Sequence, residues 1–204
     1  MRWLALWLTL FISAIFVIQV IFPPLTEDFL LISSDVYERP WILVTPIFLH
    51  GDITHLLYNM LALATFGSIL EKSIGERKFL FVFFITGLIS SIASTFLYTS
   101  VLGASGAVFG VIGALALLRP RMVVWALGVP MPMVVAAAAW STLDIIGLFS
   151  PSGIANLGHL GGLFAGLILG IVWRKKYPEP KKRKSEKILK DEDVDEWEKH
   201  YMKK

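Results

Sequence analysis

Six stretches of this chain are apolar and long enough to cross or enter a lipid bilayer, and they constrain its fold more than any other feature. They run over residues 3–22, 53–70, 79–98, 105–118, 131–149 and 156–173. A hydrocarbon core about 30 Å thick calls for roughly 20 helical residues. In lipid each backbone N–H and C=O must be satisfied within the chain, which favours helices. The fourth stretch is short, and it ends at Arg119-Pro120. The fifth lies within residues 131–149, and Pro130 and Pro132 near its start argue against one continuous helix from residue 122 onward. The fold class expected is therefore all-α: a polytopic membrane bundle of six transmembrane helices.

Charge divides the chain in two. Of 19 basic residues, 12 lie in residues 174–204, together with 8 of the 16 acidic ones. Residues 1–173 are expected to form the six-span domain and residues 174–204 a charged cytoplasmic tail. The tail carries Lys181-Lys182-Arg183-Lys184 just beyond the last span. It reads as a solubilising stop-transfer tail, with contact to anionic lipid as the alternative. Basic residues that flank long apolar runs do not describe a nucleic-acid protein. There is no cysteine, so disulfides and thiol nucleophiles are excluded. The first stretch resembles a signal peptide but lacks a small-residue cleavage site, and it is expected to be retained.

Basic residues set the direction. Arg2, then Lys72, Arg77 and Lys78, then Arg119 and Arg121, and finally the tail all fall on one side of a six-span path. The other side holds Arg39 alone among basic residues, with five acids in residues 23–52. Both termini are expected in the cytoplasm of a plain cell membrane.

Polar groups inside apolar spans are expensive and need a reason. Those that stand out are His50, His55, Asn59, Ser105, Asp144 and His159. Counted from the cytoplasmic flanks at 1.5 Å per residue, Ser105, His159, Asn59 and His55 lie at roughly 21, 22, 20 and 26 Å. Three helices thus deliver polar groups to one layer in the outer half of the bilayer. His55 and Asn59, four residues apart, share a helix face. Ser105 opens a short helix after Gly103-Ala104, where free N–H groups and the positive helix end suit an anion. A plain N-cap serine is the alternative. Gly162, Gly166 and Gly170 form a ridge that admits close helix approach, as do Gly106, Gly110 and Gly113. If the ridges meet, Ser105 and His159 face each other; glycine packing with His159 as a bystander is the other reading. No HExxH is present, and no metal or other cofactor is expected.

Three blocks resemble the rhomboid family of intramembrane serine proteases: His50-Gly-Asp-Ile-Thr-His55-Leu-Leu-Tyr-Asn59, Gly103-Ala-Ser105-Gly106, and His159 followed by Gly162 and Gly166. Their order and spans fit the compact six-helix type over residues 1–173. The resemblance implies Ser105 as nucleophile and His159 as general base. It implies His55, Asn59 and the Ser105 amide as oxyanion donors, and a structural role for His50. It further implies a large, partly embedded first outer loop, and transmembrane protein substrates that enter sideways near the second and fifth spans. Two departures stand out: Ile42 follows Trp41 where the family often has arginine, and Phe109 replaces a frequent tyrosine. Asp144 is not assigned to the chemistry; a Ser–His dyad packed against Phe109 is the simpler expectation. The activity implied is endopeptidase cleavage in or near transmembrane segments. The rival readings are a proteolytically silent relative that binds membrane clients and a small transporter. Oligomeric state is not legible.

Overall fold

The computed structural model describes residues 3–150, 153–179, 196 and 198–202. The basic cluster at 181–184 lies outside these residues, so the expectation for the tail is not addressed. The described chain is a bundle of apolar helices. Helix α1 (Leu4–Ile21) buries Ala5, Ile12 and Gln19, one residue every two turns. A stripe that narrow belongs to a peripheral helix whose other faces meet lipid.

After α1, the short helix α2 (Pro24–Phe29) opens the first loop. Three 3-10 turns follow, at Ser33–Asp35, Pro40–Leu43 and Thr45–Phe48. The loop sinks Ile42, Ile47 and Leu49 into the protein. It also joins the segment at residues 99–104, where β1 (Leu31–Ile32) pairs antiparallel with β2 (Ser100–Val101). At the departure noted at Trp41-Ile42, Ile42 is fully buried and Arg39 turns to Asp35 at 2.6 Å. The Ser34 hydroxyl and the Arg39 guanidinium hold the Asp35 carboxyl below its usual range.

Helices α3 (Ile53–Ala62) and α4 (Ser68–Ile74) are joined by a π-turn at Leu63–Gly67 into one 22-residue apolar span. It runs past residue 70, the expected end, because Glu71 has a partner. Its carboxylate accepts the backbone N–H groups of Leu4 and Ala5 at 3.0 and 2.8 Å, capping the start of α1. Gly75, with φ of +86°, then turns the chain. Helix α5 (Glu76–Ser94) begins and ends earlier than residues 79–98.

Helix α6 (Ser105–Leu118) is the centre of the bundle: 11 of its 14 residues are buried. Helices α7 (Met133–Gly147) and α8 (Asn156–Trp173) complete the set. Four helical segments, Leu4–Ile21, Ile53–Ile74, Glu76–Ser94 and Asn156–Trp173, are long and apolar enough to cross a bilayer. The apolar helices α6 and α7 are shorter than a full crossing.

The fifth span starts at Met133, and the residues before it take another form. Between α6 and α7 the chain is not helical but forms an antiparallel hairpin, β3 (Val123–Ala126) with β4 (Val129–Pro132). Pro130 and Pro132 cannot donate to a helix ladder. Leu127 and Gly128 take φ of +53° and +80°, the left-handed pair that a tight two-residue hairpin turn requires.

Contacts collect the basic flanks at one end of the bundle. Glu71 meets Leu4, the Lys78 ammonium sits over the Tyr177 ring, and Arg119 donates to the Tyr177 carbonyl at 3.1 Å.

Candidate active site

The site begins with how α6 and α8 approach. The hydrophobic effect does not drive apolar helices together in lipid, so close packing must do so. A Cβ placed on Gly162 would fall on the Gly106 carbonyl oxygen, and one on Gly166 on that of Gly110. The two glycine ridges therefore meet in register with no room for a methyl group. Helix α5 adds a small-polar stripe, and Ser90 and Thr86 fill the space beside Gly106 and Gly110.

This contact sets Ser105, at the start of α6, against His159, in the first turn of α8. Ser105 Oγ lies 2.8 Å from His159 Nε2. The imidazole stacks on Phe109, with ring centroids 4.4 Å apart and planes 8° from parallel. Phenylalanine at this position thus still fixes the plane of the ring. The start of α8 is tied down as well, because the Leu157 N–H donates to the Tyr98 hydroxyl at 3.1 Å.

The other ring nitrogen was expected to lack an acidic partner, and here the structure differs. His159 Nδ1 lies 2.9 Å from Asp144 Oδ1. Asp144 stands three residues before the end of α7, and His159 three residues after the start of α8. The antiparallel pairing of these helices puts the two side chains at one height.

Helix α3 supplies the remaining polar groups. The Asp52 carboxylate caps it by accepting the His55 N–H at 2.8 Å. His55 abuts Gly103: a Cβ there would lie 2.8 Å from His55 Nε2 and 3.7 Å from Ser105 Oγ. Gly103, at φ of +131°, is a position that only glycine occupies without strain. Asn59 is buried and donates from Nδ2 to the His55 carbonyl at 2.9 Å. The amide group carries a second N–H for another acceptor. His55, Asn59, Ser105, Phe109 and His159 all line one cavity of about 1360 Å³. Its lining continues outward to loop residues such as Thr99, Val101, Phe149 and Ser150. On another side Phe66, from the π-turn, meets Trp140 of α7 edge-on at 6.0 Å.

His50 stands apart from the serine. It is buried, its ring meets that of His55 at 5.1 Å, and its backbone N–H donates to Gln19 Oε1 at 3.1 Å. Burial, with His55 acting in the same direction, pushes the His50 imidazole down to about 3. Gln19 was not singled out from the sequence, although it anchors this corner. Its amide also donates to Thr26 Oγ1 at 2.9 Å, so it links α1 to both ends of the first loop. Its signal was the heptad spacing Ala5, Ile12, Gln19, which places a polar side chain on the buried stripe.

Comparisons with known proteins agree with this architecture. The family model of the Rhomboid domain matches residues 37–176. The chain is 40% identical over 134 residues to "Rhomboid protease GluP" of Bacillus subtilis (strain 168), covering 62% of this chain and 24% of that protein. It is 33% identical over 137 residues to "RHOMBOID-like protein 4" of Arabidopsis thaliana, covering 66% and 34%. It is 33% identical over 139 residues to "Putative rhomboid protease YdcA" of Bacillus subtilis (strain 168), covering 65% and 66%. The chain thus spans a quarter to a third of the first two relatives and about two thirds of the third. Because the family match takes in more than half of its residues, including the serine, histidine and asparagine around the cavity, this chain belongs to the rhomboid family.

Proposed function

We propose that this protein is an intramembrane serine endopeptidase that cleaves transmembrane segments of other membrane proteins, with Ser105 as nucleophile and His159 as general base. The observation that carries the reading is the 2.8 Å contact between Ser105 Oγ and His159 Nε2 at the floor of a cavity. That distance is within the reach a general base needs.

Ser105 Oγ attacks the substrate carbonyl carbon while its proton passes to His159 Nε2 and the carbonyl electron pair moves to oxygen. The Ser105 backbone N–H, His55 and Asn59 face the space where that oxyanion forms. Each such donor is worth about 3–4 kcal/mol in favourable cases. The C–N bond then breaks as His159 returns the proton to the leaving amine, and water hydrolyses the acyl-enzyme. A regular helix keeps its carbonyls in intrahelical hydrogen bonds, so preferred substrates carry helix-weakening residues near the outer face.

Six crossings, with both termini in the cytoplasm, are part of the reading. Helix α6 crosses despite its length because it is enclosed by its neighbours and need not match the lipid thickness, and α7 is a crossing because the basic residues on either side of it, Arg121 and Arg174, require an even number of spans between them. The collection of Lys78, Arg119 and the chain beyond Trp173 at one end supports that direction. The cavity then opens outward, and residues 1–173 form the catalytic unit, with 174–204 as its cytoplasmic tail. Substrate enters from the bilayer between α3 and α7, where the Phe66–Trp140 edge contact leaves a wall made of side chains.

The test is cleavage of a single-span substrate by purified protein in lipid vesicles. Ser105→Ala and His159→Ala each abolish cleavage while the protein remains folded. Wild-type turnover by folded Ser105→Ala would remove the nucleophile assignment.

A further inference from the structure

Residues 122–173 contain two ionisable side chains, Asp144 and His159, and the fold joins them. Asp144 is buried at 6% exposure, and its Oδ1 lies 2.9 Å from His159 Nδ1. The opposite edge of the same ring meets Ser105 Oγ at 2.8 Å, and Phe109 stacks flat on its face. Three neighbours therefore fix the imidazole's position, plane and rotation about that plane.

Cohesion between α7 and α8 does not account for the carboxylate. Its second oxygen, Oδ2, has no hydrogen-bond partner among the described residues. A half-satisfied buried carboxylate stabilises a fold less than a well-packed apolar side chain of similar size. Its placement does suit the imidazole. An ionised carboxylate accepts hydrogen bonds and donates none. On Nδ1 it selects the tautomer with Nδ1–H, which leaves Nε2 bare to accept the Ser105 proton.

We propose that Asp144 is a positioning residue that completes a Ser105–His159–Asp144 relay, setting the His159 tautomer and balancing the imidazolium formed during attack. This rests on the reading of Ser105 as nucleophile and His159 as base. When the Ser105 proton reaches Nε2, the ring carries one positive charge and donates from both nitrogens. The Asp144 carboxylate accepts from Nδ1 throughout. The proton leaves on the amine as the C–N bond breaks, and the ring returns to its starting tautomer. Asp144 touches neither substrate nor reacting atoms; it acts through His159.

The experiment uses the full-length protein in lipid vesicles with a single-span substrate. Asp144→Asn keeps the shape but offers an N–H to Nδ1 and so favours the opposite tautomer. It lowers kcat by about 100-fold or more, the scale on which a wrongly oriented histidine acts, while KM and melting temperature stay near wild type. Asp144→Glu recovers part of kcat. A folded Asp144→Asn with wild-type kcat overturns the proposal, as does a loss of activity that only tracks the loss of folded protein. A second measurement needs no variant at this position: 15N spectra of histidine-labelled protein, with the His159 signals assigned by His159→Gln. Protonated Nδ1 with bare Nε2 supports the proposal, and bare Nδ1 overturns it. Ser105→Ala separates the two levels of the argument. If that variant still cleaves, the reading of the site fails; if it is inactive while Asp144→Asn is not, only the relay fails.

Discussion

Gly162→Ala adds one methyl group at a point of close backbone contact between α6 and α8, one turn below the reacting pair. The new Cβ would stand 2.9 Å from the Gly106 carbonyl carbon and 3.4 Å from its Cα, with the carbonyl oxygen nearer still. Non-bonded carbons settle at about 3.5–4.0 Å, so the two backbones must part by roughly 0.6–1 Å. Gly106 adjoins Ser105, and His159 is three residues from Gly162. The 2.8 Å contact between Ser105 and His159 would then stretch to about 3.5 Å, beyond a useful hydrogen bond. A misplacement of about 1 Å costs on the order of 100-fold in rate, and overpacking costs about 1–3 kcal/mol in stability. The assay is kcat for a single-span substrate in vesicles, normalised to the folded fraction from a thermal melt. Gly170→Ala is the matched comparison. Its Cβ would meet Leu117 Cβ at 2.9 Å and the Ala114 carbonyl at 3.1 Å, a milder crowding of the same two helices. The position is about 16 Å along α8 from His159, so this variant loses stability but keeps its turnover per folded molecule. Wild-type kcat in folded Gly162→Ala would refute the claim that close glycine packing sets the reacting distance.

Two further outcomes follow from the corner where Gln19 meets the first loop. Gln19→Leu leaves the His50 N–H and Thr26 without their partners and lowers unfolding stability by about 1–3 kcal/mol; an unchanged unfolding midpoint would show that the bridge carries no weight. The His50 imidazole falls from 6.5 to about 3 on folding, so between those values the unfolded chain binds the extra proton. Stability is then complete above about pH 6.5 and falls on acidification, by at most about 1.4 kcal/mol per pH unit from this group. His50→Gln should flatten that dependence, and an unaltered slope would assign it to other groups.

Much of the architecture is legible in the sequence for reasons tied to particular residues. The bounds of α6 and α8 follow from Gly103-Ala104 ahead of Ser105, and from arginines placed directly after the apolar runs. Glycines four residues apart on both helices announced a close approach before any contact was visible. What the sequence concealed depends on how helices lean. Asp144 lies 15 residues from His159 across a loop, and nothing local says that the end of α7 tilts onto the start of α8. The usable signal was scarcity, since these two residues are the only ionisable side chains in residues 122–173. Gln19 was hidden by a similar effect, at the end of a long apolar helix where a polar side chain looks like an interfacial residue. The hairpin at 123–132 is not legible because a run of valine, tryptophan, alanine and leucine suits a buried helix as well as a strand. Its turn at Leu127-Gly128 has only one residue of the usual type.

The central claim is that a hydroxyl, an imidazole and anion-binding groups from three helices act together in one pocket. Its most direct test is covalent capture of the nucleophile by a fluorophosphonate, with the adduct located by mass spectrometry on protein held in lipid. The account predicts one adduct, on Ser105 Oγ, which forms in the wild type and not in folded His159→Ala. Cleavage-competent protein that carries its adduct on a different serine, or Ser105 labelled equally well without His159, would contradict it.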